Sequence, residues 1–228
     1  MITLPRFFTA PRAFALVLTM FIALVSGCTS VAATDEPTSQ RADEGGMPLK
    51  EAYAAYFPIG AAVAAGEYGF DSLAAYPEST LAEFNSLVAE NCMKPAIIHP
   101  SEDAFNWGPA DRLVAFAKAR SMKIRGHTLV WHNQVATWMF TASGSAAERR
   151  EYSRERMRAH IAAVLGRYGS DVYCWDVVNE AVKDSWDPAS WTTYRESSPW
   201  FKAYGDASYI QDAFEFARTA DPDAKLFY

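Results

Sequence analysis

The chain is poor in the residues that hold metals. It has three cysteines and four histidines in 228 residues. The histidines (His99, His127, His132 and His160) are scattered, and no HExxH or CxxC spacing occurs. No metal site is therefore expected, and no cofactor is implied. Basic charge is also short: 21 Lys and Arg face 27 Asp and Glu, for a net charge of −6. Without a phosphate-neutralising patch, nucleic acid is not an expected partner. The apolar run Ala13 to Val25 has thirteen residues, short of the ~20 that a spanning helix needs. Hydrophobic residues, in contrast, make up 50% of the chain and aromatics 14%. A sizeable core is affordable, in one domain or two small ones.

Arg6 and Arg12 precede or flank the start of that apolar run, which leads into Val25-Ser26-Gly27-Cys28. This is the layout of an export signal. Small residues before a cysteine resemble the lipobox of bacterial lipoproteins. The resemblance implies cleavage before Cys28 and lipidation of it, which anchors a protein without spanning the membrane. An ordinary secretory signal with a chance cysteine is the alternative, and the lipobox spacing favours lipidation. Residues 1–27 are read as signal peptide and 28–46, rich in Thr, Ser, Asp, Glu, Pro and Gly, as a flexible tether. Residues 47–228 are read as the folded domain. Cleavage leaves 19 basic and 27 acidic residues, a net charge of −8. The expected location is an exported, membrane-anchored lipoprotein, at the cell surface or in the periplasm.

Beyond the tether, apolar strand-like runs alternate with helix-like segments. Strands are expected at Phe57 to Ala65, Leu81 to Asn91, Lys123 to Trp131, Val172 to Glu180 and Ala224 to Tyr228. Helices are expected at Ala110 to Ser121, Ser145 to Tyr168 and Ala207 to Ala220, the last with Phe214 and Ala217 inward. This alternation predicts βαβ units, a parallel sheet and a (β/α)8 TIM barrel, incomplete here at about strands one to five.

Polar clusters end these strands. Glu90, Asn91 and Lys94 follow the second strand; His127, Trp131 and His132 lie on or after the third; Asn179 and Glu180 end the fourth. In a β/α barrel the carboxyl ends of the strands open onto one face, so the clusters should converge. Their donors and acceptors suit sugar hydroxyls. Trp131 and Trp138 offer flat surfaces to a pyranose. A carboxyl beside an amide suits glycoside hydrolysis: the acid protonates the leaving oxygen and the amide holds a 2-hydroxyl. His160 on the long helix is read as structural. Trp107, Trp186, Trp191 and Trp200 are read as packing residues, with outer-subsite platforms as the alternative, and Gly126 as allowing close strand packing.

The runs Phe84-Asn85-Ser86-Leu87-Val88-Ala89-Glu90-Asn91-Cys92-Met93-Lys94-Pro95, Arg125-Gly126-His127-Thr128-Leu129-Val130-Trp131-His132-Asn133-Gln134 and Trp175-Asp176-Val177-Val178-Asn179-Glu180 resemble the second-, third- and fourth-strand motifs of glycoside hydrolase family 10, the xylanases. Asp221 to Tyr228 resembles the start of the fifth. The resemblance implies a retaining endo-1,4-β-xylanase acting on xylan or xylo-oligosaccharides. It implies Glu180 as general acid/base and Asn179 at the sugar beside the cleaved bond. Glu90, Asn91, Lys94, His127 and Trp131 would line the glycone subsites, with His132 and Asp176 in support. A cis peptide between His127 and Thr128 is also implied.

Cys92 departs from the family pattern, standing where an acidic residue is usual. The family nucleophile is a glutamate on strand seven, and no residue of this chain can be assigned that role. The chain is therefore read as the amino-terminal portion of a longer product, and residues 28–228 alone are not expected to turn over xylan. Cys92 and Cys174 are expected two strand steps apart, roughly 9–10 Å, too far for the Cα separation of about 7 Å that a disulfide tolerates. The alternatives are another barrel glycosidase (a cellulase or mannanase) and a non-catalytic xylan-binding surface lipoprotein.

Overall fold

The computed structural model describes residues 46–185, 188–189 and 192–228. The signal, nearly all of the tether, Cys28, Trp186 and Trp191 lie outside the described residues. The strands are β1 (Gly60–Val63), β2 (Ser86–Ala89), β3 (Lys123–Trp131), β4 (Cys174–Asn179) and β5 (Lys225–Phe227). The helices are α1 (Leu49–Ala52), α2 (Ser72–Ala75), α3 (Glu78–Leu81), α4 (Pro95–Ile98), α5 (Gly108–Ala119), α6 (Ala146–Tyr168), α7 (Pro199–Tyr204) and α8 (Tyr209–Ala220). A 3-10 turn spans Thr137–Phe140.

The five strands form one sheet in chain order, every pair parallel. This is the expected partial (β/α) barrel. Register sets the site: Val63 pairs with Ala89, Val88 with Arg125 and Trp131 with Asn179, so successive carboxyl ends emerge side by side. Cys174 to Val178 are buried without alternation, as suits a strand covered on both faces. Gly126 pairs with Trp175, and a Cβ on it would overlap the Trp175 indole. Close strand packing is thus what Gly126 provides.

Helix α6 begins at a capping box, with Ser145 Oγ accepting from Glu148 N at 3.3 Å and Ser145 N donating to Glu148 Oε2 at 2.7 Å. Met157, His160, Ile161, Val164, Leu165 and Tyr168 form its buried stripe. That stripe joins Leu113, Val114 and Ala117 of α5, and Ala213 and Ala217 of α8, in the core.

Several sequence boundaries move inward. Strand β1 starts at Gly60, leaving Phe57 53% exposed. Strand β2 starts at Ser86, because Leu81 closes α3 instead; strand β4 starts at Cys174. On α8 the inward residues are Tyr209, Ala213, Phe216 and Ala217, and Phe214 is only half-buried. A helical turn advances 100° per residue, so Phe214 and Phe216 cannot share the buried stripe. The short helices α1 to α4 and α7 carry too little periodicity to be read from sequence. Trp200 is buried in the core, and Trp107 stacks on Phe105 at 4.4 Å between ring centres. Cys92 and Cys174 are buried free thiols. Burial and then the Glu67 charge push the Cys92 thiol up to about 12.

Candidate active site

The polar strand ends meet in one cluster. After β2 the chain turns at once: Glu90 N donates to Val63 O at 2.9 Å, and Lys94 N to Asn91 O at 2.9 Å. Lys94 then starts α4 with Pro95 at the first helical position, where a missing N–H costs nothing. Its side chain is turned inward, leaving Lys94 8% exposed. Nζ donates to Asn91 Oδ1 at 3.0 Å and lies 4.7 Å from the Trp131 ring centre. Burial lowers the Lys94 pKa, opposed by the charges of Glu90, Glu180 and Glu67. The ammonium therefore sits among acids, with donor capacity beyond its bond to Asn91.

Strand β3 supplies a different group. His127 Nδ1 lies 2.9 Å from Asp176 Oδ2, and Arg125 Nε donates to both Asp176 oxygens at 3.0 Å. Thr128 Oγ1 donates to the Asp176 carbonyl at 2.8 Å, and the His127–Thr128 peptide is cis. Burial alone would raise the Asp176 pKa; the His127 and Arg125 hydrogen bonds and the Arg125 charge outweigh it and hold it below 3.8. Asp176 stays an anion and fixes the orientation of His127.

Glu180 lies one residue beyond β4 with φ +52°, in the left-handed region, which costs a non-glycine residue about 1 kcal/mol. Arg195 holds that turn. Its Nε donates to Glu180 O at 3.1 Å, and its Nη2 reaches Val182 O at 3.3 Å and Asp184 Oδ2 at 3.0 Å. Trp131 Nε1 donates to Glu180 Oε2 at 2.8 Å. His132 Nδ1 is 3.8 Å from the same oxygen and has no hydrogen-bond partner among the described residues. Burial, then the Arg195 charge, pushes the His132 pKa down against Glu180 and Asp184, favouring a neutral ring. Asn179 is half-buried and paired in register with Trp131.

Every strand-end residue read from sequence thus reaches this region, Glu90 as an exposed carboxylate beside Lys94. Trp138 is placed against His99 and has no contact with these residues among the described ones. Its indole is seated edge-on against His99 at 4.6 Å, and its Nε1 donates to His99 O at 3.0 Å. The 3-10 turn carries it back toward the helix layer. Sequence reading left Gln134, Glu67, Tyr68 and Arg195 without roles. Gln134 Nε2 donates to Asn91 Oδ1 at 3.2 Å. Glu67 lies just past β1, and its buried Oε1 has no partner among the described residues. Glu67 obeys the same strand-end rule as the others, whereas Arg195 arrives from a distant loop and leaves no local signal. A hollow of about 1030 Å³ on the outer face of α8, lined by Phe214 and Leu226 among others, holds none of these residues.

Comparison with known proteins agrees with this geometry. The family model described as glycosyl hydrolase family 10 matches residues 48–228. An endo-1,4-beta-xylanase A of Caldicellulosiruptor saccharolyticus is 44% identical over 182 residues, covering 80% of this chain and 50% of that protein. An endo-1,4-beta-xylanase A of Xylanibacter ruminicola is 48% identical over 145 residues, 64% of this chain and 37% of that one. An intracellular xylanase of Thermoanaerobacterium saccharolyticum, solved as a mutant complex with xylotetraose, is 38% identical with a TM-score of 0.67, covering 79% of this chain and 56% of that one. The chain spans about half or less of the length of the curated relatives it matches. Family model, parallel half-barrel and converging strand ends agree, and the chain belongs to glycosyl hydrolase family 10.

Proposed function

We propose that these residues form part of the cleft of a retaining endo-1,4-β-xylanase, with Glu180 as its general acid/base. The observation that carries this reading is Glu180 itself, held in a left-handed turn by Arg195 and bonded to the Trp131 indole. That bond engages Oε2, and among the described residues none donates to Oε1, the oxygen assigned here to the substrate. Protonation of the glycosidic oxygen by Glu180 makes the departing sugar an alcohol as its C–O bond breaks. The resulting carboxylate then takes a proton from the water that completes the reaction. Asn179 holds the 2-hydroxyl of the sugar at the cleaved bond. Asn91, Lys94 and Glu90 bind hydroxyls further along the glycone side, and the Trp131 ring and His127 wall the cleft. The retaining reaction also needs a second carboxylate about 5–5.5 Å from the first, which bonds the anomeric carbon as the leaving sugar departs and is released when water attacks that carbon, a role given to none of the described residues. The relatives named as xylanases support xylan as the substrate.

The test is Glu180→Gln in the gene's full product. Hydrolysis of xylan should fall about 10²–10⁴-fold, with oligosaccharide binding retained. A xyloside whose leaving group needs no proton, such as a dinitrophenolate, should lose far less in its bond-breaking step. Wild-type kcat/KM on xylan in this variant would remove Glu180 from the role.

Export and anchoring through Cys28 belong to the same proposal, supported by the Val25-Ser26-Gly27-Cys28 run. Replacing Cys28 by Ala should abolish incorporation of labelled palmitate and move the protein out of the membrane fraction. Unchanged labelling would discard the anchor.

A further inference from the structure

Strand β1 runs into a tight hairpin whose construction exceeds what a connecting loop needs. Ala65 and Asp71 form an antiparallel bridge, with Gly66 N donating to Phe70 O and Gly69 N to Gly66 O, each at 3.1 Å. Gly66 and Gly69 have φ of +90° and +81°, the backbone freedom that lets seven residues reverse direction. Arg112 clamps the base, donating from Nη1 to Ala65 O at 3.0 Å and from Nη2 to Asp71. Glu67 Oε2 accepts from Ala65 N at 2.7 Å, and Asp71 also caps α2 through Leu73 N at 3.1 Å. Two ends and one side chain are thus fixed, and Tyr68 is carried on the hairpin between them.

Tyr68 is 63% exposed, yet its hydroxyl donates to Gln134 Oε1 at 3.2 Å. One edge of the ring is tied down while much of the side chain stays open to solvent. The contact also joins Tyr68 to the candidate site without a gap. Gln134 bonds Asn91, Asn91 accepts from Lys94, Lys94 lies over Trp131, and Trp131 bonds Glu180. This row runs from the proton donor outward, and Tyr68 is its far end.

We propose that Tyr68 is a platform for a further pyranose unit of a β-1,4-linked chain, beyond the units held by Asn91 and Lys94. The inference rests on the xylan reading of the cleft. An amphipathic ring with few rotatable bonds loses little entropy on stacking against the C–H face of a sugar. The hydroxyl tie to Gln134 sets its orientation before the sugar arrives. The platform therefore acts on chain length and not on the bond-breaking step.

The experiment is a calorimetric titration of the gene's full product with xylobiose through xylohexaose, for wild type, Tyr68→Ala, Tyr68→Phe and Tyr56→Ala. Tyr56, 79% exposed and ahead of β1, lies toward the other end of the sheet and controls for loss of any exposed aromatic. Tyr68→Ala should weaken the longer oligomers about five- to tenfold and leave xylobiose unchanged. Tyr68→Phe should keep most of the affinity, and Tyr56→Ala all of it. Equal weakening at every length would overturn the platform, since Tyr68 would then act by supporting Gln134. So would no change at any length. If wild type binds no xylo-oligosaccharide, the xylan reading itself fails and takes the platform with it. Far-UV circular dichroism of each variant separates these outcomes from misfolding.

Discussion

Two histidine clusters in this domain are built from similar parts and have opposite electrostatic character. Within the sheet, just before the polar strand ends, His127 lies 2.9 Å from the Asp176 carboxylate, which Arg125 also holds. Away from the strand ends, His99 and His160 meet each other, Nδ1 to Nδ1 at 3.1 Å. His99 stacks on Phe105 at 3.7 Å between ring centres and meets Trp138 edge-on. One Nδ1 must carry a proton and the other accept it. The first cluster concentrates charge and directs it to the site, whereas the second excludes charge. Burial, then the neighbouring His99, pushes His160 down to about 3, and burial lowers His99 as well. Histidine in a β/α domain is therefore informative only together with its partner: a carboxylate on the neighbouring strand marks the candidate site, and a second imidazole among aromatics marks packing.

The largest expected effect separates the clusters by pH. The folded-state pKa of His160 is depressed below its ordinary 6.5. The unfolded chain therefore binds a proton that the native state refuses. Stability should fall as pH drops below 6.5, with the His160 contribution approaching about 4 kcal/mol near pH 3.5. His99 and His132 add losses of the same sign. The stabilisation from Asp176 is complete above 3.8 and lost only as pH falls through its depressed folded value. Urea unfolding of wild type and His160→Asn at a series of pH values checks this. The stability gap between them should shrink from pH 7 toward pH 4, and a constant gap would mean that His160 is not a buried neutral ring.

At neutral pH the order of the two clusters should invert. Removing the carboxylate with Asp176→Ala strands Arg125 and His127. Breaking a buried pair costs about 3–5 kcal/mol; because the Arg125 side chain is 38% exposed, about 2–3 kcal/mol is expected here. Oligosaccharide binding should weaken too, since His127 loses its orientation. Replacing His160 should spare binding at pH 7, and a loss of equal size would couple the two clusters.

How far each cluster was legible follows from where its partners lie in the chain. Glu90, Asn91, Asn179 and Glu180 were readable because the strand that positions each one is contiguous with it. Asp176 was readable as support because it shares a motif with Glu180. Arg195 was not, since it reaches the Glu180 carbonyl from fifteen positions away and itself belongs to no strand or helix. Trp138 was misplaced because a tryptophan near a strand end looks the same in sequence whether its ring faces a cleft or a histidine. The hairpin at Tyr68 depends on glycines with positive φ and a clamp from α5, neither of which a hydrophobic pattern reports.

Gly126 gives a smaller effect that bears on only one cluster. It precedes His127 on β3 and faces the Trp175 indole, which precedes Asp176 on β4. A methyl group there must push the indole aside, at about 1–3 kcal/mol. Gly126→Ala should therefore lower the urea midpoint and weaken oligosaccharide binding together, while the acid dependence from His160 stays unchanged. A stability loss with wild-type binding would show that the strands can shift without moving the His127–Asp176 pair.

The smallest effect tests how much of the strand-end cluster is held by neutral hydrogen bonds. Thr128 is fully buried, and its hydroxyl donates to the Asp176 carbonyl at 2.8 Å. Thr128→Val keeps the branched shape and replaces the donor with a methyl group, so no cavity opens. The Asp176 carbonyl still faces β3 but has lost a donor that water cannot replace. About 1 kcal/mol is expected, read as a shift in the urea midpoint at unchanged slope. The carboxylate keeps Arg125 and His127, so stability below pH 4 should fall in parallel with wild type. If the variant instead falls less steeply than wild type below pH 4, the hydroxyl is positioning the carboxylate, and the charged part of the cluster is less self-sufficient than its bonds to Arg125 and His127 imply.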